Sequence, residues 1–218
     1  PLLHLALFST HLAMPQPGWP EATVVTGFPF HDRDGDGKLP ADLARFLADG
    51  PPPIVFTPSS SMASIAKPFL EESIQAARRL GRRAVLVLGS GRTRPDSLPP
   101  NVAAFDYAPF SALFPRAAAI VHAGGIGTTA LAMRSGRPML VVPQTHDQPD
   151  NADRVAQLGI ARAVPFTKYR AQRAATELAR LLDDPEYARR AGEIGAKIQQ
   201  ESGVSAACDA IERLFDAR

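Results

Sequence analysis

The sequence predicts an α/β protein whose core is a doubly wound parallel sheet. From residue 51 onward, short and wholly apolar runs alternate with stretches of helical character. A strand that is apolar at every position is buried on both faces, which is typical of a parallel sheet covered by helices on both sides. Glycine and proline residues separate most of these runs from the segments around them, as turn residues do.

Six apolar runs are the predicted strands of this sheet. They cover residues 54–56, 84–89, 102–105, 118–121, 139–143 and 161–164. Helices are predicted up to Leu80, Gly136 and Gly159, and three further helical segments follow the last strand. Glycine at a helix end is expected because it adopts the left-handed conformation that terminates helices.

The first 50 residues lack this alternation. Two short apolar runs, residues 2–8 and 23–25, are separated by a proline-rich loop, and a small helix over residues 41–50 ends at a glycine followed by three prolines. Glycine and proline residues at this density indicate an irregular segment. We therefore divide the chain into a lead-in of residues 1–50, with short strands and one small helix, and an α/β domain of residues 51–218.

Composition excludes several classes of function. Of 218 residues, 45% are hydrophobic and 21% are charged, with a net charge of +2, as in soluble globular proteins. Lys and Arg are scattered along the chain, so no nucleic-acid partner is expected. Cys208 is the only cysteine, which excludes an internal disulfide and a CxxC metal site. No apolar run approaches the roughly 18 residues of a membrane span, so no transmembrane segment is predicted.

The stretch "AIVHAGGIGTTALAMRSG", residues 119–136, combines the features of an anion-binding loop. Glycines let the backbone approach a ligand, and the helix expected to begin near Thr128 directs unpaired N–H groups and the positive end of its dipole at the same point. Two hydroxyls and an imidazole add donors, which favours a phosphate or diphosphate over a tight turn that needs glycine only for packing. The candidate residues are His122, Gly124, Gly125, Gly127, Thr128 and Thr129.

A second interpretation of the same glycines stays open. Gly125, Gly127 and Ala130 fit the G-x-G-x-x-A fingerprint of a Rossmann dinucleotide-binding domain, and Asp147 lies twenty residues after Gly127. That fingerprint belongs to the first strand–helix–strand unit of such a domain, whereas three predicted strands of the sheet come earlier here. The alternative function is therefore an NAD(P)-binding oxidoreductase domain.

The run "HDQPDNA", residues 146–152, follows the next predicted strand. Asp147 and Gln148 present carboxylate and amide groups suited to sugar hydroxyls, whereas the ordinary role of Asp150 and Asn151 is to cap the following helix. Ligands of open α/β sheets bind outside the carboxyl ends of the strands, where this run and the glycine loop converge. A sugar beside a diphosphate would explain both motifs.

Together these motifs resemble a known signature. The sequence "YAPFSALFPRAAAIVHAGGIGTTALAMRSGRPMLVVPQTHDQPDNADRVAQLGI", residues 107–160, is similar to the nucleotide-sugar-binding region of the GT-B glycosyltransferases. The similarity covers at least residues 106–159 without a gap. That family includes the UDP-glucuronosyl/UDP-glucosyltransferase-like enzymes, and the bacterial branch is the more similar one. The resemblance implies that the predicted domain is the Rossmann-like, donor-binding half of a GT-B enzyme.

The resemblance also implies roles for individual residues. Tyr107 stands where the family has a tryptophan that stacks on uracil, and the Ala108 backbone would bind the edge of the base. The ring of His122 would contact the diphosphate and stabilise it as a leaving group, within the cradle described above, and Asp147 and Gln148 would hold sugar hydroxyls. The full set of implied donor-binding residues is Ser59, Ser60, Tyr107, Ala108, His122, Gly124, Gly125, Gly127, Thr128, Thr129, Asp147 and Gln148.

Tyr107 and Ala130 depart from the family pattern, and Arg92 has two possible roles. Tyr107 in place of tryptophan leaves open whether uracil or thymine is preferred. Ala130 stands where plant enzymes have a glutamate for the ribose, so that contact must come from elsewhere. Arg92 either neutralises the diphosphate or is an ordinary solvated loop charge.

The expected function is that of a donor domain for a UDP- or dTDP-hexose in an inverting, metal-independent transfer. In the family the catalytic base is a histidine of an amino-terminal domain, which also holds the acceptor. The sequence begins at Pro1 and holds only the donor half, so we expect a fragment that has no catalytic base, no cofactor and no activity alone. The expected location is cytoplasmic, with any membrane association through the other domain. A non-catalytic nucleotide-sugar-binding module remains an alternative.

Overall fold

A six-stranded parallel sheet forms the centre of the computed structural model, which describes residues 2–31, 37–58, 66–89, 94–95 and 97–216. Two short lead-in strands pair with each other, and the other six form the sheet. Every sheet strand overlaps the apolar run that predicted it. In chain order the strands are β1 (His4–Ala6), β2 (Thr23–Val25), β3 (Ile54–Thr57), β4 (Ala84–Val87), β5 (Val102–Phe105), β6 (Ala119–His122), β7 (Met139–Val141) and β8 (Ala161–Ala163).

Helices follow most of the strands. They are α1 (Ala41–Ala48), α2 (Ala66–Arg79), α3 (Phe110–Leu113), α4 (Ile126–Arg134), α5 (Gln148–Gln157), α6 (Ala171–Asp183), α7 (Pro185–Ile198) and α8 (Gly203–Asp216). Short 3₁₀ turns cover Phe114–Arg116 and Phe166–Lys168. Within the described ranges, none of these helices is both long enough and apolar enough to cross a membrane.

The strand order across the sheet is β5-β4-β3-β6-β7-β8, and all neighbours are parallel. The first strand of this sheet, β3, lies at its centre, and β4 and β5 follow outward on one side. The chain then crosses back to place β6 on the other side of β3, and β7 and β8 follow outward from there. This is the 3-2-1-4-5-6 order of a doubly wound sheet, in which the direction of winding reverses between the first and fourth strands. The predicted fold class is confirmed, and the reversal lies between β3 and β6.

Each face of the sheet is covered by its own hydrophobic core. Alternate strand residues, such as Val55 and Val85, face the core formed with α1, α3, α4, α5 and α7. Their neighbours, such as Phe56 and Leu86, face the core formed with α2 and α6. Because side chains alternate across a strand, burial on both faces calls for apolar residues at successive positions. In the six described sheet strands the exceptions are Thr57 and His122, at strand ends, and Arg162 in the edge strand β8.

The lead-in packs against the first of these cores. Leu12, Phe28 and Leu43 are buried there beside residues of the sheet. The two short strands and the small helix predicted before residue 51 are present, although α1 ends at Ala48 rather than at the glycine that follows it. The proposed boundary between residues 50 and 51 stays a prediction.

The start of α4 differs from the prediction and bears on the site. The helix begins at Ile126, two residues before the expected Thr128. The reason is that Gly125 is the N-cap, with an extended backbone whose carbonyl accepts the first helical hydrogen bond from the N–H of Thr129 at 3.0 Å. Gly127 and Thr128 therefore lie in the first helical turn rather than in the loop before it.

Candidate functional site

The candidate site lies at the carboxyl edge of the sheet, where the winding reverses. Thr57 and His122 are paired in register at the ends of β3 and β6, and a doubly wound sheet binds its ligands in the crevice outside this reversal. The glycine loop follows β6 directly. The predicted contacts of Ser59, Ser60 and Arg92 lie outside the described residues.

Gly124 and its neighbouring glycines differ in what surrounds them. Gly124 has φ of +92°, and a Cβ built on it would lie 2.7 Å from Cγ1 of Val141 and 3.1 Å from the carbonyl oxygen of Gln148. A Cβ built on Gly125 or Gly127 meets no described atom within 4 Å. Gly124 therefore lets β7 and α5 pack against the loop, whereas Gly125 and Gly127 keep the adjoining space open.

The first turn of α4 carries unpaired backbone donors at this edge. The N–H of Ile126 donates to Oδ2 of Asp147 at 3.2 Å. The N–H groups of Gly127 and Thr128 form no hydrogen bond with any other described residue. These two amides, together with the positive end of the α4 dipole, are what a helix N-terminus offers to an anion.

The two threonines of the loop play different parts. Thr129 is fully buried, and both its N–H and its hydroxyl donate to the carbonyl of Gly125, each at 3.0 Å. Thr128 is half-buried, and its hydroxyl has no partner among the described residues. Of the two hydroxyls predicted to contact a ligand, that of Thr128 is available in this geometry and that of Thr129 is used inside the protein.

The ring of His122 lies in the protein interior. The side chain is 1% exposed, its Nδ1 accepts the N–H of Gly124 at 3.1 Å, and its Nε2 lies 3.4 Å from Sδ of Met139. Burial lowers the pKa of His122 to about 4, so the ring is neutral at physiological pH. An acceptor at Nδ1 places the proton of the neutral ring on Nε2.

This position does not support the predicted contact between His122 and a diphosphate. Neither ring nitrogen is directed to solvent, because the imidazole ends a strand that is buried on both faces. The geometry supports a different role, in which the ring holds the backbone of Gly124. Among the described residues of the loop, the donors left unpaired are the backbone amides of Gly127 and Thr128.

Asp147 and Asn151 connect the glycine loop to α5. Oδ2 of Asp147 accepts the N–H of Ile126 and also lies 2.8 Å from Nδ2 of Asn151. The same Nδ2 donates to the carbonyl of Gly124 at 2.9 Å. Asp147 is exposed, and its Oδ1 accepts no hydrogen bond from the described residues, so this oxygen is the one that could meet a sugar hydroxyl.

The role of Asn151 was missed at the level of sequence. The residue was expected to cap the next helix, but α5 begins at Gln148 with Asp147 at its N-cap, so Asn151 lies one turn inside. Its position four residues after Asp147 is the available signal, because side chains at i and i+4 share one face of a helix.

Gln148 is buried, and half of its amide is used internally. Its Oε1 accepts the N–H groups of Gln144 and Thr145 at 2.9 and 3.3 Å. Those bonds orient the side chain and leave the amide nitrogen as the group that could donate to a ligand. If Gln148 contacts a sugar as predicted, the group that makes the contact is therefore its Nε2, which donates hydrogen bonds.

Tyr107 and Ala108 lie at the other end of the edge. Tyr107 follows β5 and is 67% exposed, whereas Ala108 is buried. From β5 to β6 the sheet has three strand spacings, or about 14 Å at roughly 4.8 Å each. Tyr107 and the glycine loop are therefore separated by a distance typical of an extended ligand rather than of a small anion.

The described loops beside the glycine loop carry no cationic side chain. Residues 106–110, 122–129 and 143–151 contain no Lys or Arg, and their acidic residues are Asp106, Asp147 and Asp150. Within the described part of the chain, no group of three or more His, Cys, Asp or Glu side chains is arranged to hold a metal ion. Among these described ranges, the donors that remain for an anion at the glycine loop are the backbone amides of α4.

The chain matches the family described as "Erythromycin biosynthesis protein CIII-like, C-terminal domain" over residues 74–206. It is 37% identical over 220 residues to O-mycaminosyltylonolide 6-deoxyallosyltransferase of Streptomyces fradiae, covering 100% of this chain and 51% of that protein. The chain thus spans about half the length of this relative.

Solved structures agree with the sequence comparison. The kitacinnamycin glycotransferase superposes with a TM-score of 0.80 at 29% identity, covering 98% of this chain and 55% of that one. The glycosyltransferase VinC, solved in complex with DTDP, superposes with a TM-score of 0.78 at 25% identity, covering 99% and 53%. The predicted GT-B resemblance is confirmed: the chain belongs to the erythromycin biosynthesis protein CIII-like family of glycosyltransferases and contains its carboxyl-terminal domain.

Proposed function

We propose that this chain is the donor-binding domain of an inverting glycosyltransferase, which takes a UDP- or dTDP-hexose and needs no metal ion. The acceptor hydroxyl and the base that deprotonates it would be held by an amino-terminal domain of the full-length protein. On this proposal the chain alone binds the donor and does not turn it over.

The proposal depends on the amides of Gly127 and Thr128 at the reversal of the sheet, which have no hydrogen-bond partner in the described part of the chain. Transfer from a nucleotide sugar breaks the bond between the anomeric carbon and a phosphate oxygen, and negative charge builds on the leaving diphosphate. Fixed N–H donors at a helix N-terminus stabilise such charge without reorganisation. They would serve here in place of a metal ion.

The layout of the edge supports an extended donor. A base stacked on Tyr107 at the end of β5 would place the ribose across β4 and β3 and the diphosphate at α4, next to β6. The sugar would then lie at the carboxyl end of β7, next to the amide nitrogen of Gln148 and to Oδ1 of Asp147, which has no partner among the described residues. This order of groups follows the order of strands.

The alternative of a dinucleotide-binding oxidoreductase is disfavoured by topology. Its glycine fingerprint should follow the first strand of the sheet, which is β3, whereas Gly125 and Gly127 follow β6, the fourth.

Calorimetric titration of the chain with UDP, dTDP and NADH distinguishes the two functions. We expect heat of binding with at least one pyrimidine diphosphate and none with NADH, because the site would fit a diphosphate between a base platform and a sugar pocket. Binding of NADH without binding of either pyrimidine diphosphate would reverse the assignment.

Gly127→Ala is expected to stabilise the fold and to weaken donor binding at once. Alanine in a helical position is favoured over glycine by about 0.5–1 kcal/mol, and a Cβ here meets no described atom within 4 Å. The same methyl group would occupy the space through which a diphosphate approaches the amide, so the affinity for UDP should fall at least tenfold. Thermal unfolding and titration of the same sample measure both effects.

Those opposite signs separate binding from folding. A variant that is more stable and still binds UDP as tightly as the unsubstituted chain would show that the diphosphate does not lie against α4.

A further inference from the structure

We propose that His122 and Asn151 are positioning residues that grip the peptide groups of Gly124 from both sides and thereby aim the free amides of α4. The binding part of this inference rests on the proposed function, and the structural part does not. In place of a ligand contact for His122 and a helix cap for Asn151, it assigns to both side chains the task of fixing the loop that contains Gly124 and Gly125.

The amino side of Gly124 is held by a neutral imidazole. Nδ1 of His122 accepts the Gly124 N–H at 3.1 Å. At the opposite edge of the ring, Nε2 lies 3.4 Å from Sδ of Met139, which fixes the orientation of the imidazole. Both contacts are buried. A buried N–H without this acceptor would be unsatisfied, which is costly.

The carbonyl side is held by an amide. Nδ2 of Asn151 donates to the Gly124 carbonyl at 2.9 Å and to Oδ2 of Asp147 at 2.8 Å. The carboxylate in turn accepts the N–H of Ile126 at 3.2 Å. The chain of bonds therefore runs from the strand end, through Gly124, to α5 and back to the first residue of α4.

The consequence of this circuit is preorganisation. Gly124 adopts φ of +92° and is flanked by a second glycine, so the loop has little intrinsic preference for one conformation. Ordering it during binding would reduce affinity, whereas a loop that is fixed beforehand carries no such cost. The amides of Gly127 and Thr128 are then aimed through the contacts of His122 and Asn151 with Gly124.

Asn151→Ala and Asn151→Asp test the binding part, with Asn101→Ala as the matched control. Asn101 also donates its Nδ2 to a backbone carbonyl, that of Arg82 at 2.8 Å, but it precedes β5 at the opposite edge of the sheet. Calorimetry should show UDP affinity about tenfold lower or more in both Asn151 variants, from the loss of a buried bond. UMP affinity should stay within about twofold, because UMP lacks the second phosphate, and the control should bind both nucleotides normally.

Amide hydrogen exchange tests the circuit without any ligand. In the unsubstituted chain, the Ile126 amide should exchange at least tenfold more slowly than those of Gly127 and Thr128, because it alone is bonded to Asp147. In Asn151→Ala that protection should be lost, and in Asn101→Ala it should persist. Asn151→Asp, which keeps the shape of the side chain, gives the same comparison should the alanine variant fail to fold.

The outcomes separate the two proposals. Loss of Ile126 protection in a chain that binds neither nucleotide would uphold the positioning role and refute the donor site. An Ile126 amide that exchanges as fast as its neighbours, or a variant that loses UMP and UDP affinity equally, would overturn the positioning role.

Discussion

Replacing Gly124 by alanine is expected to lower the free energy of unfolding by about 3 kcal/mol or more and to remove nucleotide binding. An L-residue forced into the left-handed region costs roughly 1–2 kcal/mol. The added Cβ would also lie 2.7 Å from Cγ1 of Val141 and 3.1 Å from the carbonyl oxygen of Gln148. Overpacking of a tight interior site adds about 1–3 kcal/mol. Because the clash pushes the loop away from β7 and α5, the first turn of α4 should lose its alignment as well.

Gly125→Ala is the matched control for that experiment. Gly125 is the adjacent glycine, its φ is −60°, and a Cβ there meets no described atom within 4 Å. We expect a loss of about 1 kcal/mol at most, since alanine is a poor N-cap. Urea unfolding of the two variants makes the comparison. Equal losses of stability would contradict the assignment of Gly124 as the residue on which the packing of the loop depends.

The architecture could be predicted from the sequence because strands buried on both faces and the helices that connect them are both visible as alternating apolar runs and helical stretches. The strands Ile54–Thr57 and Ala119–His122 are buried at all four positions. Apart from Thr57 and His122 at their carboxyl ends, they have no polar residue that would break the apolar run. Parallel strands then require helical crossovers, which fix the site at the carboxyl edge. The location of the glycine loop follows from these two facts alone.

The division of labour inside the loop could not be predicted in the same way. Gly124 and Gly127 are both glycines of one motif, so the sequence does not distinguish them. Gly124 has a packing role because Val141 and Gln148 lie against it, whereas Gly127 faces open space. The direction of the His122 ring depends likewise on Met139, seventeen residues away. Residue type shows which groups a site contains, whereas neighbours from other strands determine which of those groups remain free.

The stability of the fold should decrease as the pH falls from about 6.5 to 4, in part because of His122. Its pKa is lowered by burial from 6.5 to about 4, so between these values the unfolded chain binds a proton that the folded chain excludes. Where the unfolded state binds more protons, the free energy of unfolding rises with pH. The contribution of His122 is therefore complete above pH 6.5 and lost near pH 4. At about 1.4 kcal/mol for each pKa unit, the loss amounts to roughly 3 kcal/mol.

His122→Asn isolates this contribution, since the carboxylates of the protein titrate in both chains and cancel in the difference. The asparagine side chain keeps an acceptor for the Gly124 N–H but cannot bind a proton in this range. Urea unfolding at pH 7, 6, 5 and 4 should show the variant destabilised at pH 7, with the two curves converging at acid pH. The control His146→Asn removes an exposed histidine with φ of 56°, a conformation that asparagine tolerates, and it keeps the buried ring. Parallel curves for the unsubstituted chain and His122→Asn would mean that the imidazole is solvated and free to meet a ligand after all.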